Sequence, residues 1–214
     1  MGVGIDVGAD RLHIVGLSAD GALALAEVID PCELSSLRSL FQNLPKCSVA
    51  IDGPPSSSTA PFAKDPTVSN KFRNARGCEV VLGREFGIWV SFATGPDPLT
   101  GWMSVAAEVH SLAQSAGHEA LETYPHAVFR LLLGFRPPKK TAAAGITVRV
   151  EAFHARGLTE PTLALWSHDG LDAAAAAVVA LDHHHGTARR AYCPEDDSSI
   201  WLPAQGAIEV ENIH

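Results

Sequence analysis

No apolar run in this chain is long enough to cross a membrane. The longest, Ala173 to Leu181, is nine residues, against roughly 20 for a spanning helix. No basic leader precedes the first apolar segment, so a secretory signal is not expected. Basic charge is scarce: 16 Lys and Arg stand against 24 Asp and Glu, a formal net charge of -8. That excludes a protein coated with positive charge for nucleic-acid binding. An enzyme that must release its substrate can still rely on a local basic patch. Cysteine is sparse as well: Cys32, Cys47, Cys78 and Cys193 show neither close pairing nor zinc-ligand spacing. A disulfide scaffold is thereby excluded, and a reduced, cytoplasmic setting is expected.

What is present is a globular composition, 46% hydrophobic and 19% charged, long enough for one well-packed domain spanning 1–214. The first thirty residues read as a meander of three strands, Gly4 to Gly8, Leu12 to Leu17 and Ala22 to Ile29, broken by two turn sequences. Leu34, Leu37, Leu40, Phe41 and Leu44 recur at helical spacing. Cys47 to Asp52 is then a strand reached through a helix, which predicts parallel pairing within a mixed sheet. Gly53 to Asn70 is aperiodic and rich in Pro, Ser and Thr, as binding loops are. Further on, the pattern predicts a helix over Trp102 to Ala116 with Thr100 as its N-cap, and a strand over Glu119 to Thr123. A helix from Pro125 to Gly134 and another from Ile146 to Arg156 follow. The last helix runs from Leu171 to His184, and a strand lies near Ile200 to Leu202. Beyond it the pattern is lost. The fold class is α/β.

Four acids sit where a bare charge is costly. Asp6 interrupts Val3-Gly4-Ile5-Asp6-Val7-Gly8, Asp52 ends Val49-Ala50-Ile51, Glu122 follows Ala120-Leu121, and Asp172 opens the alanine-rich stretch. A carboxylate on an apolar strand needs a partner or a metal. Four gathered at about 6 Å would repel by roughly 15 kcal/mol in total at an effective dielectric near 20. Divalent cations answer such repulsion, and two Mg²⁺ ions about 4 Å apart clamp a phosphodiester for attack by water. Candidate metal ligands are therefore Asp6, Asp52, Glu122, Asp169 and Asp172, with Mg²⁺ or Mn²⁺ as the ion. Asp6, Asp52, Glu122 and Asp172 are the candidate catalytic set. Lys139, Lys140, Arg149 and Arg76 are candidates for substrate phosphate.

Gly4-Ile5-Asp6-Val7-Gly8, Ala50-Ile51-Asp52-Gly53-Pro54, Glu122-Thr123-Tyr124-Pro125-His126 and His168-Asp169-Gly170-Leu171-Asp172-Ala173 resemble domain of unknown function family four hundred and twenty-nine. Lys139-Lys140-Thr141, Gly145 and Arg149 extend the likeness. That family is similar to the ribonuclease H-like superfamily. The resemblance implies a five-stranded mixed sheet flanked by helices, and metal-dependent nuclease chemistry on DNA or RNA. The segment from Asp169 through Leu181 is similar to the last helix of RuvC-type resolvases.

Plainer readings stand beside each candidate. Asp6 pairs with Arg11 or Lys140, Asp52 begins an Asp-Gly turn, Glu122 caps the helix after it, and Asp169 with Asp172 forms a capping box. His183-His184-His185 is a solvated last turn, and His126 and His168 are packed or hydrogen-bonded side chains. Two other functions fit parts of the sequence. One is a sugar kinase or actin-type phosphotransferase, which needs a second glycine-rich phosphate turn where this chain has Gly53-Pro54-Pro55. The other is a non-catalytic module binding nucleic acid or protein on the same fold.

Overall fold

The computed structural model describes residues 1–158, 163 and 166–205. The patternless tail from residue 206 lies outside the described residues. Strands β1 (Gly2–Val7), β2 (Leu12–Leu17) and β3 (Leu23–Ile29) form the expected antiparallel meander. Helix α1 (Leu34–Asn43) carries the chain over one face to β4 (Ser48–Asp52), which lies parallel to β1 with Gly2 opposite Ser48 and Asp6 opposite Asp52. A long loop leads to α2 (Gly77–Phe86) and α3 (Trp102–Ser115), then to β5 (Glu119–Thr123), parallel to β4. Helices α4 (Pro125–Leu133), α5 (Ala143–Ala155) and α6 (His168–His184) follow, and the hairpin β6 (Arg189–Cys193) and β7 (Ser198–Leu202) closes the described chain.

The sheet order is β3-β2-β1-β4-β5-β7-β6. Its first five strands form a mixed sheet, an antiparallel meander followed by parallel strands, as the sequence resemblance implies. Among the described residues the count is seven rather than five, because β6 and β7 extend the edge beyond β5, where Thr123 pairs with Trp201. Strand β6 escaped the sequence reading because Arg189-Arg190 open it without apolar alternation. Helix α2 was hidden behind the aperiodic loop, and its first turn has no side-chain cap. Helix α3 starts from Gly101 (φ 58°) rather than from a Thr100 cap.

Side-chain alternation divides the sheet into two faces. Val3, Ile5 and Val7 pack with Leu37 and Phe41 of α1 and with Val109 and Ala113 of α3. Leu37 and Phe41 are at most 1% exposed, a burial of about 1.5–3 kcal/mol apiece. On the other face β1 presents Gly2, Gly4 and Asp6. A methyl group on Gly4 would lie 2.1 Å from the Ala173 carbonyl oxygen and 2.1 Å from the Ala177 nitrogen, and one on Gly2 would lie 2.3 Å from the Leu181 nitrogen. Glycine on the strand and alanine on the helix let α6 lie directly on the β1 backbone. The contacts also show that α6 runs antiparallel to β1. Two residues along a strand rise about 6.6 Å and four along a helix about 6 Å. Stepping from Gly4 to Asp6 therefore leads from Ala173 back to Asp169. Among the described residues no helix is long and apolar enough to cross a membrane.

Candidate functional site

The carboxylates of Asp6, Asp169 and Asp172 converge, each offering an oxygen within 4.8 Å of the others. Asp6 and Asp172 are buried, at 6% and 5% exposure, and Asp169 is partly exposed. Asp52 lies beside Asp6 in the parallel register. The helical acids are not caps: Ser167 is the N-cap of α6, its hydroxyl accepting from the Gly170 N–H at 3.1 Å. That frees Asp169 and Asp172 from the capping box that the sequence allowed.

The electrostatics follow from this crowding. Burial, then the charges of Asp172 and Asp169, push the Asp6 carboxyl up to about 7, against the opposing pull of Lys140 and of the hydrogen bond to Asp52. Asp52 is held well above the ordinary carboxylate range by burial and by Asp6 and Asp172. Asp172 is raised by burial and relieved by Lys140. Lys140 donates to Asp172 Oδ2 at 2.7 Å and to Asp169 Oδ1 at 3.4 Å. Burial alone would lower the Lys140 pKa, but Asp172, Asp6 and Asp169 raise it. His168 Nδ1 stands 2.6 Å from Asp169 Oδ1.

Glu122 is not in this cluster. It sits opposite Ile51 rather than Asp52 in the register, so alternation turns it to the other face of the sheet. There the Arg76 guanidinium grips both its oxygens, with Nη1 donating to Oε2 at 2.6 Å and Nη2 to Oε1. Arg76 also reaches Glu79 Oε1 at 3.4 Å, and Glu79 accepts from the Thr94 backbone N–H and, at 2.6 Å, from its hydroxyl. Burial, opposed by Arg76, pushes Glu122 up to about 7. Two expectations are corrected together: Glu122 is the partner of Arg76 rather than a ligand with Asp6, and Arg76, 3% exposed, is enclosed rather than offered to phosphate. Three of its N–H contacts are spent on the buried carboxylates of Glu122 and Glu79, which holds the guanidinium inside the fold.

A cleft of about 720 Å³ opens over the C-terminal ends of β1, β4 and β5, with the acid cluster in one wall. Phe92, Trp102, Tyr124 and His126 line other parts of it. Lys139 is exposed on the rim, whereas Arg149 is 3% exposed. Arg149 Nη1 donates to the carbonyls of Pro138 at 3.1 Å and Gly145 at 2.7 Å, and its guanidinium stands 4.9 Å from the centre of the Phe129 ring. It holds the connector rather than facing solvent. The triple histidine lies elsewhere: His183 meets the Trp201 ring edge-on at 4.4 Å and Ser48 Oγ at 3.0 Å. His13 escaped notice in the sequence. It faces Asp6 across the β1–β2 hairpin and feels the charges of Asp169 and His168. The signal was available, since the turn between Val7 and Leu12 fixes Asp6 opposite His13.

No curated protein matches the chain. A solved structure titled "Thermus thermophilus RuvC structure" aligns over 86% of this chain and 96% of its own, with a TM-score of 0.44 and 20% identity. Residues 102–198 match the family described as "Protein of unknown function (DUF429)". The matched stretch contains Glu122, Lys139, Lys140, Arg149, Asp169 and Asp172, while Asp6 and Asp52 come from the strands before it. The motif resemblance read from the sequence and this family match therefore point to the same family.

Proposed function

We propose that the protein is a Mg²⁺- or Mn²⁺-dependent nuclease acting on DNA or RNA. The observation that carries this reading is the convergence of Asp6, Asp169 and Asp172 within 4.8 Å, with Asp52 alongside, at the mouth of an open cleft. The donor set fits the ion: carboxylate oxygens suit hard divalent cations, and burial first, then the neighbouring acids, shift Asp6 and Asp52 upward, a cost that such a cation relieves. Asp6, Asp169 and Asp172 would hold the ion, with Asp52 completing the shell through its contact with Asp6. When bound, the ion supplies an activated water and stabilises charge on the phosphate. Lys139, exposed on the rim, supplies a positive charge for the nucleic-acid backbone.

The phosphotransferase reading has less support. Pro54 and Pro55 bring no N–H to a phosphate, and the Gly53 carbonyl is engaged by His110 Nε2 at 3.0 Å. The test is a panel of single-stranded, duplex and branched DNA and RNA, incubated with Mg²⁺ or Mn²⁺. Asp6→Asn is expected to abolish cleavage. Undiminished cleavage by that variant refutes the assignment.

A further inference from the structure

Lys139 and Lys140 are consecutive and both line the cleft, yet they are engaged differently. Lys139 is exposed at the cleft rim, whereas the Lys140 ammonium points inward to Asp172 and Asp169 at 2.7 and 3.4 Å. The backbone that carries it is fixed from several directions. Arg149 ties Pro138 to Gly145 through their carbonyls, and the Ala142 N–H closes a turn onto the Lys139 carbonyl at 3.0 Å. That carbonyl lies against α5 so closely that a methyl group on Gly145 would stand 2.0 Å from it. A glycine, a buried arginine and a turn thus place one lysine among the acids.

We propose that Lys140 is a resident cation of the acid cluster, standing in for a second metal ion, so that the site takes up one divalent ion rather than two. The inference rests on the metal-binding reading above. The Lys140 ammonium occupies lone pairs of Asp172 Oδ2 and Asp169 Oδ1, so a second divalent ion placed there would have to displace it or lie against its charge. The ion is therefore confined to the side of the cluster formed by Asp6, Asp52 and the remaining oxygens of the helical acids. Lys140 on the other side supplies the charge that a metal pair would divide between its members. Because the ammonium is tethered, that charge is present at every metal concentration.

The test uses the full chain without nucleic acid. Mn²⁺ is titrated by calorimetry, and bound Mn²⁺ is examined by electron paramagnetic resonance. The wild type is expected to bind one ion with an uncoupled spectrum. Lys140→Met is expected to admit a second ion, show the spectrum of an exchange-coupled pair, and bind the first ion about tenfold or more tightly. Lys140→Arg keeps the charge and is expected to remain at one ion. Two ions in the wild type, or a Lys140→Met protein with unchanged stoichiometry and affinity, overturns the inference and leaves the metal site standing. No Mn²⁺ uptake by either protein overturns both. Two ions in the wild type overturn the inference even if Lys140→Met does not fold.

Discussion

Replacing Asp6 by Asn should stabilise the metal-free protein while it destroys the site. In the folded chain the Asp6 carboxyl is raised from 3.8 to about 7, so the folded state holds a proton that the unfolded state has released. Below about pH 4 both states are protonated, and this group contributes no penalty. Between about pH 4 and 7 the folded state binds more protons, so stability falls as pH rises; above about 7 the full penalty is present. A shift of about three units corresponds to roughly 4 kcal/mol. Asn lacks the charge but also weakens the link to Asp52, which leaves about 2–4 kcal/mol. For a chain of this size that is a rise of about 5–15 °C in Tm. The assay is thermal melting in a chelator at pH 5 and pH 8, with and without added Mn²⁺. Asp6→Asn should melt higher than wild type at pH 8, and the advantage should be smaller at pH 5 and shrink when Mn²⁺ is added. Equal or lower stability at pH 8, with the pH dependence unchanged, refutes the account of a carboxylate made costly by burial and by its acidic neighbours.

Glu122→Gln leaves the Arg76 guanidinium buried without its full counter-charge, and denaturant melts should show a loss of about 3–5 kcal/mol. Mn²⁺ affinity, measured by calorimetry, should remain within about twofold, since Glu122 faces away from the acid cluster. Gly4→Ala forces α6 off the β1 backbone and should cost about 3 kcal/mol or more. It should also weaken Mn²⁺ binding, because Asp169 and Asp172 move with the helix. Lys139→Ala should lower nucleic-acid affinity for all sequences alike and reduce the slope of log affinity against log salt by about 1. Its Mn²⁺ affinity should not change.

Much of the fold was legible because its signals are local. The Gly8–Arg11 and Ser18–Gly21 turns, the Leu37–Phe41 stripe, Pro125 at a helix start and Gly134 at its end each act over a few residues, and the corresponding elements formed where expected. The acids were legible as anomalies, since Asp6 interrupts an apolar strand. Their partners were less so. Glu122 and Asp52 look alike as carboxylates ending apolar strands, yet a one-residue difference in register sends them to opposite faces. Arg76 and Arg149 read as candidates for substrate phosphate, and both are enclosed by contacts, Arg76 with Glu122 and Arg149 with the Pro138 and Gly145 carbonyls. No local pattern announces such long-range pairs.

The sequence by itself determined most of the elements, the α/β class and the identity of the unusual acids, because periodicity, turn chemistry and the cost of burying charge all act within short stretches. Only the tertiary structure decided which acids meet. Strand register placed Asp52 beside Asp6 and turned Glu122 toward Arg76, and the glycine–alanine contact of β1 with α6 set the depth at which Asp169 and Asp172 arrive. Those outcomes depend on distances between segments far apart in the chain, which packing fixes and local composition does not.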